Sequence, residues 1–182
     1  MDKKNLFLLF FLAFSNPILA CSCFWFDSEE SKQNLYDNSD FVIKGHLLES
    51  MLPKYSSRNQ RYLGTDILLK VDSVYKGVVP NDTIFIIQER GNCVIHFIDS
   101  DEYWIFGDVV DKIELYNDSL GVTEGYDRES KTFHLFDNPT VLELYRSLQT
   151  KYITIETNQC STFQLDDKLM IGFIRKKKRQ RD

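Results

Sequence analysis

The sequence predicts a single, mainly β domain, a small barrel or sandwich. Short runs rich in β-branched and aromatic residues recur between polar turns, while helical patterning is confined to two stretches. The chain has 182 residues, 43% of them hydrophobic and 27% charged, the size and composition of one ordinary globular domain. No internal repeat and no interdomain linker divides it.

The N-terminus reads as a signal. Residues 1–5 make a short basic start, and residues 6–14 an uninterrupted apolar run of nine. As a helix nine residues reach only about 14 Å, too short for a bilayer core of about 30 Å. Ser15-Asn16-Pro17 breaks the run, and Ile18-Leu19-Ala20 leads into Cys21. Residues 1–20 are therefore expected to be a secretory signal cut after Ala20. The mature protein then begins at Cys21, in the medium, the periplasm or at the cell surface.

Beyond the aromatic run Phe24-Trp25-Phe26, residues 27–37 predict a short helix. Ser28, Glu29 and Glu30 supply its acidic first turn, and Leu35 and Tyr36 end it. Residues 41–48 predict a strand with Gly45 as a bulge or bend. Residues 53–60 are polar and loop-like. Residues 61–75 predict a long strand in which Ile67, Leu69 and Val71 alternate with Leu68, Lys70 and Asp72. A turn over 76–82 leads to the β-prone run 83–87, and a polar connector over 88–92 leads to Cys93. Residues 94–98 and 102–106 predict a hairpin around Asp99-Ser100-Asp101. Residues 111–116 and 131–136 predict two short strands, joined by a loop that contains glycine. Asn138-Pro139 opens the clearest helix, with Val141, Leu142, Tyr145 and Leu148 on one face. Residues 152–157 predict the last strand before Cys160, and residues 166–174 fit no single period.

Cleavage leaves 20 basic and 26 acidic side chains, a net charge of −6. Residues 175–182 hold six basic groups and one acidic, so the body stands at −11. Such a body repels phosphate backbones and excludes a nucleic-acid-binding surface there. The basic run reads as a solvated end that is able to touch anionic lipid or an acidic partner.

The chemistry of most enzymes is missing. There is no Gly-rich phosphate loop, no His-Glu-x-x-His helix and no Gly-x-Ser-x-Gly elbow. His46, His96 and His134 are scattered, without metal-ligand spacing. A binding or inhibitory module is expected rather than an enzyme, with no cofactor.

All four cysteines, Cys21, Cys23, Cys93 and Cys160, lie in the mature part. An even count in an exported chain predicts two disulfides. A Cys21–Cys23 bridge closes a very small, sterically poor ring. Two pairings remain, and both tie the N-terminal Cys-Ser-Cys to Cys93 and Cys160. Residues 18–21 also resemble a bacterial lipobox, with a bulky Leu19 in its middle. Lipidation would consume the Cys21 thiol and leave an odd number of cysteines. The alternative function follows from it: a membrane-anchored surface lipoprotein, binding a protein or glycan.

A cleaved N-terminus beginning Cys-Ser-Cys resembles the tissue inhibitors of metalloproteinases, within the wider netrin-like group. Ser39-Asp40-Phe41-Val42-Ile43-Lys44-Gly45 is similar to the family's first strand. Val74-Tyr75-Lys76-Gly77 resembles its turn, and Glu102-Tyr103-Trp104-Ile105-Phe106-Gly107 a later strand. Cys93 follows Cys21 by 72 residues, close to the family's spacing, and Ile153-Thr154-Ile155 before Cys160 resembles the strand leading to another bridged cysteine.

The resemblance implies an OB-fold-like, five-stranded closed β-barrel, with an inserted hairpin and one or two short helices. It implies bridges Cys21–Cys93 and Cys23–Cys160. One domain is expected over 21–174, with an insertion at about 107–151 and a basic tail over 175–182. In the family, the amine and carbonyl of the first cysteine chelate the partner protease's zinc. Carried over, Cys21 would hold that zinc and Ser22 would enter the specificity pocket. Cys23, Phe24 and Trp25 would continue the ridge, and Glu89, Arg90, Gly91 and Asn92 would flank it. The expected partner is a zinc metalloprotease, the expected state a monomer, and membrane association is expected only if Cys21 is lipidated. The chain departs from the family in lacking its third early cysteine, in carrying Trp25 where the family has proline, and in the longer stretch 107–151.

Overall fold

The computed structural model describes residues 28–51, 65–89, 93–98, 101–116, 125–135, 139–164 and 167–181. The signal, the Cys21–Phe26 segment, the loop 53–60, the first four residues of the expected strand 61–75, Arg90, Gly91 and Asn92 lie outside them. The strands are β1 (Phe41–Ser50), β2 (Ile67–Lys76), β3 (Thr83–Ile87), β4 (Glu102–Val109), β5 (Lys112–Leu115), β6 (Gly125–Asp127), β7 (Thr132–Leu135), β8 (Thr154–Glu156) and β9 (Thr162–Gln164). The helices are α1 (Glu29–Asn38), α2 (Pro139–Gln149) and α3 (Lys168–Arg181).

Strands pair in the order β1-β2-β3-β8-β4, and β4 returns to β1, so five strands close a barrel. β9 lies beside β4, next to β8. Within the barrel every pairing is antiparallel except β3 with β8, which is parallel. The expected closed five-stranded barrel is therefore present. The helices number three among the described residues, against the one or two expected.

Alternation along each strand sorts side chains into an interior and an outer layer. Ile43, Leu69, Ile84, Ile86, Tyr103, Ile105 and Ile155 fill the barrel. The outer faces are covered too. Phe85 and Ile87 on β3 meet Ile113, Phe133 and Leu135 of the β5–β7 insertion and Leu142 and Tyr145 of α2. Trp104 and Phe106 on β4 meet Met170, Phe173 and Ile174 of α3. Burial on both faces explains why β3 reads Thr-Ile-Phe-Ile-Ile, without polar alternation.

Gly45 marks a register shift between β1 and β2, as expected of a bulge. A side chain there would collide with the Lys70 carbonyl oxygen. α1 is capped by Ser28, whose Oγ accepts from the Ser31 N–H at 3.0 Å. Its far end is latched by Lys76, whose Nζ donates to the Tyr36 and Asp37 carbonyls at 2.7 and 2.9 Å.

One expectation is corrected. Residues 94–98 form no strand and no hairpin with β4. Both edges of β4 are already taken, by β1 on one side and by β8 and β9 on the other. Phe97 instead enters the barrel core, fully buried and edge-on to Tyr103 at 4.8 Å. The insertion's two expected strands are present as β5 and β7, paired in parallel, and its expected hairpin is made by β6 with β7. Residues 175–181 continue α3, whose first turns are docked by the apolar residues 170, 171, 173 and 174.

The insertion shares a core with the barrel. Phe133→Ala should destabilise the protein by about 3–5 kcal/mol, in one cooperative urea transition. A barrel transition with an unmoved midpoint would show that the insertion folds apart from it.

Candidate functional site at the barrel end of Cys93 and Cys160

Parallel strands leave a sheet in the same direction. β3 and β8 pair Phe85 with Thr154, Ile86 with Ile155 and Ile87 with Glu156. The chain beyond each strand, 88–93 and 157–160, therefore emerges at one end of the barrel, and the Thr157 N–H donates to the Ile87 carbonyl at 3.3 Å. The Gln159 N–H donates to the Cys93 carbonyl at 2.8 Å. Cys93 and Cys160 thus stand on adjoining loops. Both are disulfide-bonded, and no cysteine is free among the described residues.

Each loop is held by a buried polar anchor. Gln88 is 1% exposed. Its Oε1 accepts from the Ile95 N–H at 2.8 Å, and its Nε2 donates to the Ile95 carbonyl at 3.1 Å. The side-chain amide thus imitates a paired strand and closes the loop 89–94 across its base. The Gln88 N–H donates to Asp66 Oδ1 at 3.1 Å, while the Tyr145 hydroxyl donates to Asp66 Oδ2. The loop base is thereby tied to α2.

On the second loop Thr157 is fully buried. Its Oγ1 donates to the Phe106 carbonyl at 3.1 Å and shares hydrogen bonds of 2.9 Å with the hydroxyls of Ser161 and Thr162. Asn158 Oδ1 accepts from the Cys160 N–H at 2.9 Å, an Asx turn that sets the direction of the cysteine.

The insertion reaches this end. Glu89 is exposed, and its Oε1 accepts from the Tyr126 N–H at 2.9 Å. Gly125 lies against that carboxylate with φ +120, a backbone conformation that favours glycine. Asp108 and Glu156 face each other across β4 and β8. Arg128 pairs with Asp108 through Nε at 3.1 Å and through Nη2. Burial pushes the Glu156 carboxyl up to about 8, with the charges of Glu89 and Asp108 adding and Arg128 opposing. Burial likewise raises the Tyr126 hydroxyl, which donates to the Val109 carbonyl at 2.7 Å.

Of the residues singled out by sequence, Glu89, Cys93 and Cys160 are brought together here. Cys21, Ser22, Cys23, Phe24, Trp25, Arg90, Gly91 and Asn92 lie outside the described residues. Gln88, Thr157 and Glu156 were not legible as site residues, because each works through partners distant in sequence. Among the described residues no group of three or more His, Cys, Asp or Glu is arranged to hold a metal ion. No known protein family, curated protein or solved structure matches the chain.

Two outcomes are expected. Gln88→Ala strands the Ile95 N–H and carbonyl, so it should cost about 1–3 kcal/mol and accelerate hydrogen exchange at Ile95. Glu156 ionises near 4.5 when unfolded and near 8 when folded. Between those values the folded state holds the extra proton, so stability falls as pH rises from about 5 to 8. The slope is at most about 1.4 kcal/mol per pH unit. Glu156→Gln should flatten that decline, as measured by urea midpoints at three pH values; an unchanged slope would assign it to another group.

Proposed function

We propose that the mature chain is an exported inhibitor of zinc metalloproteases that acts through the amino terminus of Cys21. The observation that carries this reading is the adjacency of Cys93 and Cys160 at the barrel end where the chain after β3 emerges. Bridges Cys21–Cys93 and Cys23–Cys160 would seat the N-terminal Cys-Ser-Cys across the two anchored loops. The flanking loop of Glu89, Arg90, Gly91 and Asn92 starts from the same place. The Gln88–Ile95 and Asn158–Cys160 hydrogen bonds hold the base of one loop and the turn of the other, which would lower the ordering cost of docking.

A catalytic zinc keeps one coordination position for water. The Cys21 α-amine, with a pKa of about 8, loses its proton in competition with the metal. Its lone pair and the Cys21 carbonyl oxygen would then hold the partner's zinc together, displacing that water. The hydrolytic nucleophile is thereby removed, and no bond of the inhibitor is broken. Ser22 would enter the pocket beside the metal, and Phe24 and Trp25 would supply apolar contact.

The decisive comparison is the mature protein with a form carrying one alanine before Cys21. Against a panel of zinc proteases the native form should inhibit, and the extended form should be weaker by at least about 100-fold. Equal potency of the two would end the chelation mechanism. Mass spectrometry of the mature terminus should show an unmodified Cys21; a lipid there would mark a surface lipoprotein instead.

A further inference from the structure

The six cations read as a solvated end lie on a helix packed to the barrel, and their positions around it differ in use. Met170, Ile171, Phe173 and Ile174 face the domain. Two lysines continue this face toward the C-terminal end of the helix, over aromatic rings. Lys177 Nζ lies 5.5 Å from the Phe173 ring centroid, and Lys178 Nζ 5.4 Å from that of Tyr75. Those two help to seat the helix. At 3.6 residues per turn the opposite face carries Lys168, Leu169, Gly172, Arg175, Lys176 and Arg179, all exposed. No ion pair engages these four cations among the described residues.

Two features of this stripe are not required by the fold. Lys168 opens the helix, at the end where the helix dipole disfavours a cation. Gly172 lies mid-helix, where alanine is more stable, and nothing stands within 4 Å of the place a Cβ would take. The stripe is convex, about 16 Å long by helical rise, and has a 65%-exposed Leu169 at one end.

We infer that this outer face of α3 is a docking surface for an anionic lipid bilayer. The complementarity is of charge with charge: four unpaired cations in a row suit the spread charge of a headgroup layer. Leu169 adds an apolar contact at the acyl boundary, and the bare Gly172 lets the helix lie close. The acidic body, at −11, is repelled by the same surface, which orients the molecule with α3 down. This contact is independent of the inhibitory reading and needs no lipid on Cys21.

The test uses the mature chain, its unmodified terminus verified by mass, with vesicles of phosphatidylcholine alone or with 30% phosphatidylglycerol. Co-sedimentation is expected with the anionic vesicles only, weakening at least about 10-fold from 50 to 300 mM NaCl. Each cation contributes about fivefold in partition, so Arg175→Gln with Arg179→Gln should weaken binding about 25-fold with the melting temperature retained. A control that removes two exposed cations elsewhere, Lys112→Gln with Lys151→Gln, should leave binding within about twofold. Equal binding to neutral vesicles, no binding to either, or equal loss in the control would overturn the inference. So would capture by soluble polyglutamate in place of vesicles, which would assign the stripe to an acidic protein.

Discussion

The parallel pairing of β3 with β8 is the constraint on which the rest depends. It closes the barrel, since β8 is the strand that joins β3 to β4. A parallel pair cannot be linked by a tight turn, so the chain between must travel far. Here it passes through β4, then the β5–β7 sheet and α2, before it returns. That detour supplies the cover for the outer face of β3. The same pairing sends two loops out at one end, where each delivers a disulfide-bonded cysteine.

Much of the barrel was legible because its strands are short and their composition is decisive. The run Thr83–Ile87 matches β3 at both ends. β1 and α2 fall within two residues of expectation, and the bulge at Gly45 is where a lone glycine in a strand implies one. The expected hairpin at 94–98 failed for a tertiary reason. Its residues have strand composition, but β4 has no edge left for them, and an aromatic in that run serves the core better as a plug. α3 was obscured by its own charge: seven cations dilute a helical pattern whose apolar positions, 170, 171, 173 and 174, cover barely two turns.

The candidate site was less legible than the fold. Cysteines and an N-terminal pattern announce themselves in sequence, whereas a buried amide does not. Gln88 stands in a polar connector, and only the approach of Ile95 makes it a clamp. Thr157 is one threonine among many until Phe106, Ser161 and Thr162 surround it. Glu156 resembles any other glutamate, and its character comes from desolvation at the joint between barrel and insertion.

Glu156 also shows what that joint costs. A carboxyl held against Asp108, with Glu89 near, is not what stability alone would select. Asp108 has Arg128 as partner, and Glu89 has the Tyr126 N–H, so the insertion brings a donor to each of Glu156's acidic neighbours. The barrel end and the insertion are thus coupled through charge as well as through the apolar core. The loop is fastened at three independent points: Gln88 at its base, Glu89 on the insertion, and the sulfur of Cys93.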